Sequence, residues 1–439
     1  MDLCLISPRF HPAIGGNENY LRNIAELCSE YLEVTVVTSN LKSEIQFLGK
    51  REYIKNKYDS IAHNIKIIRS KTLKNYFLRI LFYYNEFLNN RFELLAAKLT
   101  NQNLLDKKTY TKSINDKFYN KLHQLILYQK YFTNPSFSQV YYILKKINKI
   151  NKIKLINSSH LYFNTNLSAF QFSKKNKIPF ICTPLFHINP YLNKSLKPTF
   201  NYILKRSNAI IALTGFEKKY YINYGIPKDK IYVIPPGIDP KDYEKPDKEG
   251  FKVRYNIPRE SSLLLFIGRK TYYKGVQNVI FALKHLIKKD KDILLLLIGP
   301  NTREYVLFFN KLPSELKSHI IDLGVASNKT VSSAFASCDV FILPSLDDSY
   351  GIVYLEAWLF KKPVIGALEG NVSDVIENHE NGILVPFNNI KRLVLTIEGL
   401  LKNKELSKVL GYNGHVKLKK NNLISITGKK VLELYEKFL

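Results

Sequence analysis

The amino-acid sequence predicts an α/β protein of two parallel-sheet domains that face a central cleft. Its 439 residues are too many for one compact core and fit two domains of about 200 residues each. Short apolar strands alternate with amphipathic helices from Leu3 onward, and the same alternation restarts at Leu263. A proline-rich connector, from Pro235 to Pro258, separates the two series. Together these three observations favour two similar units joined by a linker.

The first predicted domain covers residues 1–240 and begins with a βαβ unit. Leu3–Ser7 and Val34–Thr38 are predicted strands, and the helix between them follows two glycines, Gly15 and Gly16. A glycine pair lets the backbone approach a phosphate or a sugar closely, but it also fits an ordinary tight turn. The G-x-G-x-x-G fingerprint of dinucleotide-binding proteins is absent. The unit is therefore Rossmann-like without a dinucleotide motif.

Residues 70–150 interrupt this domain with a basic, aromatic segment of helical periodicity. Apolar side chains recur there at spacings of three and four, with lysines and arginines between them. Such stripes usually face a core, so two core-packed amphipathic helices are one interpretation. The other is a surface helix that rests on an anionic membrane. The stretch 141–155, with five lysines and no acid, keeps that option open.

The second predicted domain covers residues 241–420 and repeats the alternation of strands and helices. The apolar run from Ile293 to Gly299 is typical of a parallel strand that is buried on both faces. Residues 421–439 are expected to form a C-terminal helix that packs back on the first domain. The other strands predicted for this domain are 263–268, 319–323, 339–344, 363–367 and 382–386.

The composition limits the class of protein and its partners. Hydrophobic residues make up 45% and charged residues 23% of the chain, as in globular proteins. The 66 basic and 37 acidic residues leave a net charge of +29, which attracts phosphorylated substrates, acidic lipids or nucleic acid. The four cysteines form no C-x-x-C pair, and no apolar run reaches the ~18 residues of a membrane span. We expect a cytoplasmic protein, with peripheral attachment to the inner face of the cell membrane as an option.

The stretch from Leu343 to Gly366 combines a strand, a polar loop, a helix and a second strand, and it carries two carboxylates. If the helix begins at Ser349, Asp348 is its N-cap and Glu356 lies about two turns further on. The free amides at a helix N-terminus attract anions, above all phosphate. An ordinary cap with a solvated acid is one interpretation, and a site for a sugar and a diphosphate is the other.

Other candidate site residues also follow predicted strands. His160 and His187 end two strands of the first domain, where side chains line the ligand crevice of an open α/β sheet, although each could equally be structural. Arg269 and Lys274 follow the first strand of the second domain. Together with helix amides, they would hold a diphosphate and stabilise the charge that builds on it as it departs. The alternative is two surface cations in a lysine-rich chain.

The order of these motifs resembles the retaining glycosyltransferases of family 4, which have the GT-B fold. The resemblance rests on GG near the start, the strand-end histidines, PPGID, GR…KG, SYGIVYLEA, KPVI and NGILV. It covers nearly the whole chain except about 70–150. It implies that the first domain takes the acceptor and that the second takes a nucleotide-sugar donor.

The resemblance also implies roles for single residues. Arg269 and Lys274 would bind the donor diphosphate, Glu356 the ribose and Asp348 the donor sugar, with His187 beside the reaction centre. In this family the position of Asp348 normally holds a glutamate, so the side chain here is one methylene shorter. The other donor-binding residues implied by the same motifs are Gly16, Gly351, Ile352 and Val353.

The implied activity is hexosyl transfer (EC 2.4) with retention, to a saccharide or lipid-linked acceptor, in the synthesis of a cell-surface polysaccharide or glycolipid. The family implies no metal and no other cofactor, with the donor phosphate assisting as base. Two alternatives remain from the residues themselves. One is a sugar-nucleotide epimerase or hydrolase of the same fold. The other is a basic nucleic-acid-binding protein, although the sequence shows no recognised nucleic-acid module, and we expect no nucleic-acid partner.

Overall fold

The computed structural model describes residues 1–13, 15–40, 58–59, 65–70, 137–161, 163–185, 200–243, 245–346 and 348–439. Most of the predicted insertion 70–150 and the candidate residue His187 lie outside the described residues. The described chain forms two α/β domains, each with its own sheet. The predicted fold class of two Rossmann-like domains is confirmed.

The first domain contains an eight-stranded sheet among the described residues, in which one strand, at the edge, is antiparallel. Most predicted strand bounds agree with the structure to within about two residues, as expected for short apolar runs with clear boundaries. The prediction that a strand ends at His187 is wrong, because that strand ends at Thr183. In chain order the strands are β1 (Leu3–Ile6), β2 (Val34–Ser39), β3 (Tyr58–Asp59), β4 (Ile65–Ser70), β5 (Leu155–Ser159), β6 (Phe180–Thr183), β7 (Ala209–Ala212) and β8 (Ile231–Val233).

The strand order of this sheet is β3-β4-β2-β1-β5-β6-β7-β8. Every residue of β1, β2 and β5 is buried, because helices cover both faces of a parallel sheet. The helix after β1 begins at the glycine pair and packs Leu21, Ile24 and Cys28 into the core at helical spacing. The helices of this domain are α1 (Gly16–Ser29), α2 (Phe137–Ile150), α3 (Asn164–Asn176), α4 (200–206) and α5 (Gly215–Asn223).

The second domain contains a six-stranded sheet in which all the strand pairs are parallel. In chain order its strands are β9 (Ser262–Ile267), β10 (Ile293–Ile298), β11 (Ile320–Gly324), β12 (Val340–Leu343), β13 (Val364–Ala367) and β14 (Ile383–Val385). The strand order is β11-β10-β9-β12-β13-β14, so β9 and β12 are neighbours. The loops that leave their carboxyl ends therefore lie side by side, at the edge where such sheets bind ligands.

Helices surround this second sheet, and the last one crosses to the first domain. A Cβ atom placed on Gly428 would lie 2.7 Å from Leu27 Cδ1 of α1, and Asn157 Nδ2 of β5 donates a hydrogen bond to the Tyr435 hydroxyl. The helices are α6 (Lys248–Arg254), α7 (Val276–Leu286), α8 (Arg303–Asn310), α9 (Ser314–Ser318), α10 (Asn328–Ser337), α11 (Ile352–Leu359), α12 (Val372–Val375), α13 (Ile390–Lys402), α14 (Lys404–Asn421) and α15 (Ile424–Glu436). Within the part of the chain that the structure describes, no helix is long and apolar enough to cross a membrane.

Candidate active site

The loops after β9 and β12 are fixed to each other. Gly275 has a φ of 80°, and a Cβ atom placed on it would lie 2.4 Å from Pro344 O. Only glycine tolerates both the backbone conformation and this close approach. The Leu346 N–H also donates a hydrogen bond of 2.8 Å to Tyr273 O. The two loops, called the pinned loops below, therefore form one surface at the edge of the sheet where the strands have their carboxyl ends.

Lys274 and Asp348 meet on this surface. Lys274 Nζ lies 2.7 Å from Asp348 Oδ1, and the two side chains are only 16% and 13% exposed. The other carboxylate oxygen, Asp348 Oδ2, is buried and accepts no hydrogen bond from the described residues. A buried acceptor without a donor costs free energy that an incoming hydroxyl or amide would recover. The predicted phosphate-binding lysine and the predicted sugar-binding carboxylate are thus direct neighbours.

The predicted helix start at Ser349, with Asp348 as the N-cap, is wrong. Helix α11 begins at Ile352, and Gly351 before it has a φ of 86° and a ψ of 57°. A Cβ atom at Gly351 would lie 2.5 Å from the ring of Tyr354, so a left-handed glycine is required there. Because the helix starts three residues later than predicted, Asp348 is free to pair with Lys274. Among the described residues, no side chain caps α11, so its N-terminus is uncapped.

Glu356 lies in the second turn of α11 and contacts the linker between the domains. Its Oε1 accepts a hydrogen bond of 2.9 Å from the Tyr243 hydroxyl. Burial raises the pKa of Glu356 to about 7; the hydrogen bond from Tyr243 opposes this rise, and the nearby Asp242 charge adds to it. The carboxylate expected to contact a ribose is therefore one that is close to neutralisation at physiological pH.

Arg269 lies on the loop after β9, partly exposed, and the next residue is a fully buried lysine. Lys270 Nζ donates to Gly299 O at 3.0 Å and to Asn301 Oδ1 at 2.6 Å, and it also pairs with Asp322. Burial lowers the pKa of Lys270, whereas its hydrogen bond to Asp322 opposes that shift. This lysine joins the carboxyl ends of β9, β10 and β11 and supports the loop that carries Arg269. Sequence reasoning missed it.

The first domain reaches this surface through the start of α1. A Cβ atom placed on Gly16 would lie 3.5 Å from Ile352 Cβ, so the N-termini of α1 and α11 face each other across the domain boundary. The partial positive charges of two helix N-termini are thus brought together. Ile352 is buried in this contact, and Val353 beside it is partly exposed.

Two more cross-domain contacts reach residues 371–374, which follow β13. The Thr214 hydroxyl, just before α5, donates to Asn371 Oδ1 at 2.8 Å, and Asn371 Nδ2 donates to Asp348 O at 3.0 Å. Asp374 Oδ2 accepts from the Phe216 N–H at 2.5 Å and so binds the N-terminus of α5. The backbone position of Asp348 therefore depends on the approach of the first domain.

His160 lies directly after β5 in a tight turn. Its φ is 60°, its side chain is buried, and its Nδ1 lies 3.1 Å from the Ser159 hydroxyl. The Asn166 side chain donates to the His160 carbonyl at 2.7 Å. These contacts fix the backbone of the turn at His160. The other candidate histidine, His187, lies outside the described residues.

Family models match both domains. Residues 247–417 match the model of the glycosyl transferases group 1, and residues 113–242 match that of Glycosyltransferase Family 4. The first of these ranges contains both pinned loops and the whole of α11. Together the two matches support a glycosyltransferase of the GT-B class. All the candidate residues on the loops after β9 and β12 lie within the range that matches the group 1 model.

Solved structures show that the fold is GT-B. A sucrose-phosphate synthase from Thermosynechococcus elongatus superposes with a TM-score of 0.74 at 16% identity, covering 99% of this chain and 98% of that one. HepE from Anabaena, solved in complex with UDP and glucose, superposes with a TM-score of 0.71 at 15% identity over 100% of both chains. Among curated relatives, an uncharacterised glycosyltransferase of Methanocaldococcus jannaschii is 28% identical over 168 residues, which are 37% of this chain. The match spans only 42% of that relative's length.

Proposed function

We propose that the protein transfers a glycosyl group from a nucleotide-sugar donor to a saccharide or lipid-linked acceptor, with retention of anomeric configuration. The observation that carries this proposal is the Lys274–Asp348 pair, which lies on the two pinned loops beside the uncapped N-terminus of α11. The complex of HepE with UDP and glucose supports a donor of the nucleotide-sugar class. The product would enter a cell-surface polysaccharide or a glycolipid.

In this proposal the charges of the second domain hold the donor diphosphate. Arg269 supplies a planar fork, Lys274 a point charge and α11 its free amides. These groups would stabilise the negative charge that builds on the departing diphosphate, so the reaction needs neither a metal nor a side-chain nucleophile. The donor phosphate would accept the acceptor's proton. Closure of the two domains would exclude water and align the acceptor.

The carboxylates would hold the two sugar rings of the donor. Asp348 Oδ2, buried and without a partner among the described residues, would accept a hydrogen bond from a hydroxyl of the transferred sugar. Glu356 would accept from the ribose hydroxyls. Because Asp348 is one methylene shorter than the glutamate usual in the family, the transferred sugar would have to lie correspondingly closer to the loop.

A thermal-shift screen against UDP-, GDP- and ADP-glucose tests the donor class. At least one donor is expected to raise the melting temperature, because a ligand that binds only the native state stabilises it. Arg269→Ala should remove this shift, whereas Arg259→Ala, at an arginine that is 84% exposed in the same domain, should keep it. A wild-type protein that no donor stabilises would contradict the proposal.

Reaction products then separate transfer from its rivals. With donor and acceptor, NMR should show the anomeric configuration of the donor in the product, and EDTA should leave the rate unchanged. Full turnover of donor alone, with no acceptor present, would instead favour the epimerase or hydrolase. Tight binding of RNA or DNA at physiological salt, without donor binding, would favour the nucleic-acid alternative.

We further propose that the first domain contacts an anionic membrane that carries a lipid-linked acceptor. On α2, Tyr142 and Ile150 are 57% and 87% exposed, and Lys145, Lys146 and Lys149 lie between them. Exposed apolar side chains beside lysines are the pattern of an interfacial helix. The full-length protein should float with phosphatidylglycerol vesicles at low salt and less with phosphatidylcholine vesicles. Replacing the three lysines with glutamate should reduce flotation, and absence of wild-type flotation would contradict the membrane contact.

A further inference from the structure

Tyr243 places a side chain of the interdomain linker inside the candidate nucleotide site. It follows directly after the short 3-10 turn Pro240–Asp242, and its hydroxyl donates to Glu356 Oε1 at 2.9 Å. Its ring packs edge-on against Phe360, with the centroids 6.3 Å apart. The Tyr243 hydroxyl is thus held by Glu356 of α11, and its ring is held by Phe360, the residue directly after that helix.

The residue before Tyr243 is held by the other domain. Asp242 pairs with the Arg22 guanidinium of α1, and Asn23 Nδ2 of the same helix donates to Asp242 Oδ2 at 3.3 Å. Arg22 also donates to Asn23 Oδ1, which fixes the guanidinium further. Neighbouring residues of the linker are therefore attached to opposite domains. The position of Tyr243 depends on where α1 lies.

A carboxylate can accept several hydrogen bonds, and a donor on one oxygen restricts how the group can rotate. With Oε1 occupied by the Tyr243 hydroxyl, Oε2 is the oxygen left for a ligand. A tyrosine hydroxyl makes a stronger hydrogen bond to an ionised carboxylate than to the neutral acid. This contact would select one orientation of the Glu356 carboxylate before a nucleotide arrives.

We propose that Tyr243 is a positioning residue for the nucleotide: it orients Glu356 so that the free oxygen of the carboxylate accepts from the ribose hydroxyls. This inference rests on the proposed function, since it requires a nucleotide at Glu356. The inference adds one linker residue, Tyr243, to the proposed nucleotide site. The Asp242–Arg22 pair holds this residue in place, so recognition of the ribose depends on the closed arrangement of the two domains.

The test compares ribonucleotides with nucleotides that lack the ribose hydroxyls. Dissociation constants of UDP, GDP and ADP and of their 2′,3′-dideoxy analogues are measured by calorimetry for the wild type and for Tyr243→Phe. For the ribonucleotide that the wild type binds most tightly, the variant should bind about three- to tenfold more weakly, the range of one hydrogen bond. The corresponding dideoxy analogue should bind equally to both proteins.

Two controls separate positioning from packing. Tyr255→Phe removes a hydroxyl from another tyrosine of the second domain, whose ring is tilted against that of Phe251, and should change no dissociation constant. In a Glu356→Ala background, Tyr243→Phe should have no further effect on ribonucleotide binding, because Tyr243 then has no carboxylate to orient.

The outcomes distinguish this inference from the proposed function. An equal loss of ribonucleotide and dideoxynucleotide binding in Tyr243→Phe would show a packing role and overturn the inference, as would unchanged ribonucleotide binding. An additive effect of Tyr243→Phe in the Glu356→Ala background would overturn it too. Failure of the wild type to bind any of the three nucleoside diphosphates would instead contradict the proposed nucleotide-sugar donor.

Discussion

Replacement of Lys274 with methionine is expected to lower kcat/KM for sugar transfer by about 10²- to 10³-fold, the range for losing one group that stabilises charge in the transition state. The Lys274 ammonium group lies where the two pinned loops meet, next to the uncapped N-terminus of α11. In the proposed reaction, negative charge would accumulate on the diphosphate at this position as the glycosidic bond breaks. Methionine retains most of the side-chain volume, so the lost charge is the main change. Steady-state kinetics with saturating acceptor measure the effect.

The partner of Lys274 requires its own control. Without the ammonium, Asp348 would remain mostly buried and unpaired, which could lower stability independently of catalysis. The double variant Lys274→Met, Asp348→Asn removes that unpaired charge and should recover melting temperature without recovering kcat/KM. Lys289→Met, at a 66% exposed lysine of the same domain, should leave kcat/KM unchanged. A folded Lys274→Met enzyme within about threefold of wild type would rule out the proposed role, since a single weak contact is worth that much.

The sheets were predictable from sequence because burial on both faces imposes continuous apolar runs. Ile293 to Gly299 predicts β10, which the structure places at Ile293–Ile298, and the run near 339–344 predicts β12 at Val340–Leu343. Which strands are neighbours in the sheet could not be predicted from the sequence. Only the sheet order shows that β9 and β12 are neighbours, and that adjacency is what brings Lys274 to Asp348.

The start of α11 shows how a single glycine can misdirect a prediction. Asp348 and Ser349 are both good N-cap residues, so propensity places the cap there. The structure instead uses Gly351 in a left-handed conformation, a choice that depends on the nearby ring of Tyr354. A tertiary contact decided between two local options. As a result, Asp348 belongs to the loop and its charge is available to Lys274.

The sequence alone does not indicate the roles of two residues near the site, Lys270 and Tyr243. In a chain with 66 basic residues, Lys270 looks like any solvated lysine, although it is fully buried. Tyr243 lies in a proline-rich linker, where a long-range partner such as Glu356 cannot be inferred from spacing. Both acquire their roles from partners that are at least 29 residues away in the sequence. Periodicity and motif spacing report local structure, so they do not reveal such partners.

Replacement of Lys270 with methionine is expected to lower the free energy of unfolding by about 3 kcal/mol, near the lower end of the range for removing one partner of a buried ion pair. Lys270 is fully buried. Its ammonium group donates hydrogen bonds to Gly299 O and Asn301 Oδ1 and forms an ion pair with Asp322. Methionine fills a similar volume but donates no hydrogen bond. Asp322 would keep the Tyr305 hydroxyl and the Gly324 N–H as donors, which moderates the loss. Urea denaturation measures the change.

The same substitution is expected to weaken donor binding, because Lys270 holds the loop from which Arg269 projects. Lys291→Met is the matched control. It removes an ion pair of similar length, but Lys291 and Glu315 are 64% and 69% exposed, so neither stability nor donor affinity should change. Asp322→Asn in the Lys270→Met background should destabilise less than it does in the wild type, because the two residues form one buried unit. A Lys270→Met protein as stable as wild type would show that the buried ammonium only offsets its own desolvation, and Arg269 would then be held by the backbone of its loop alone.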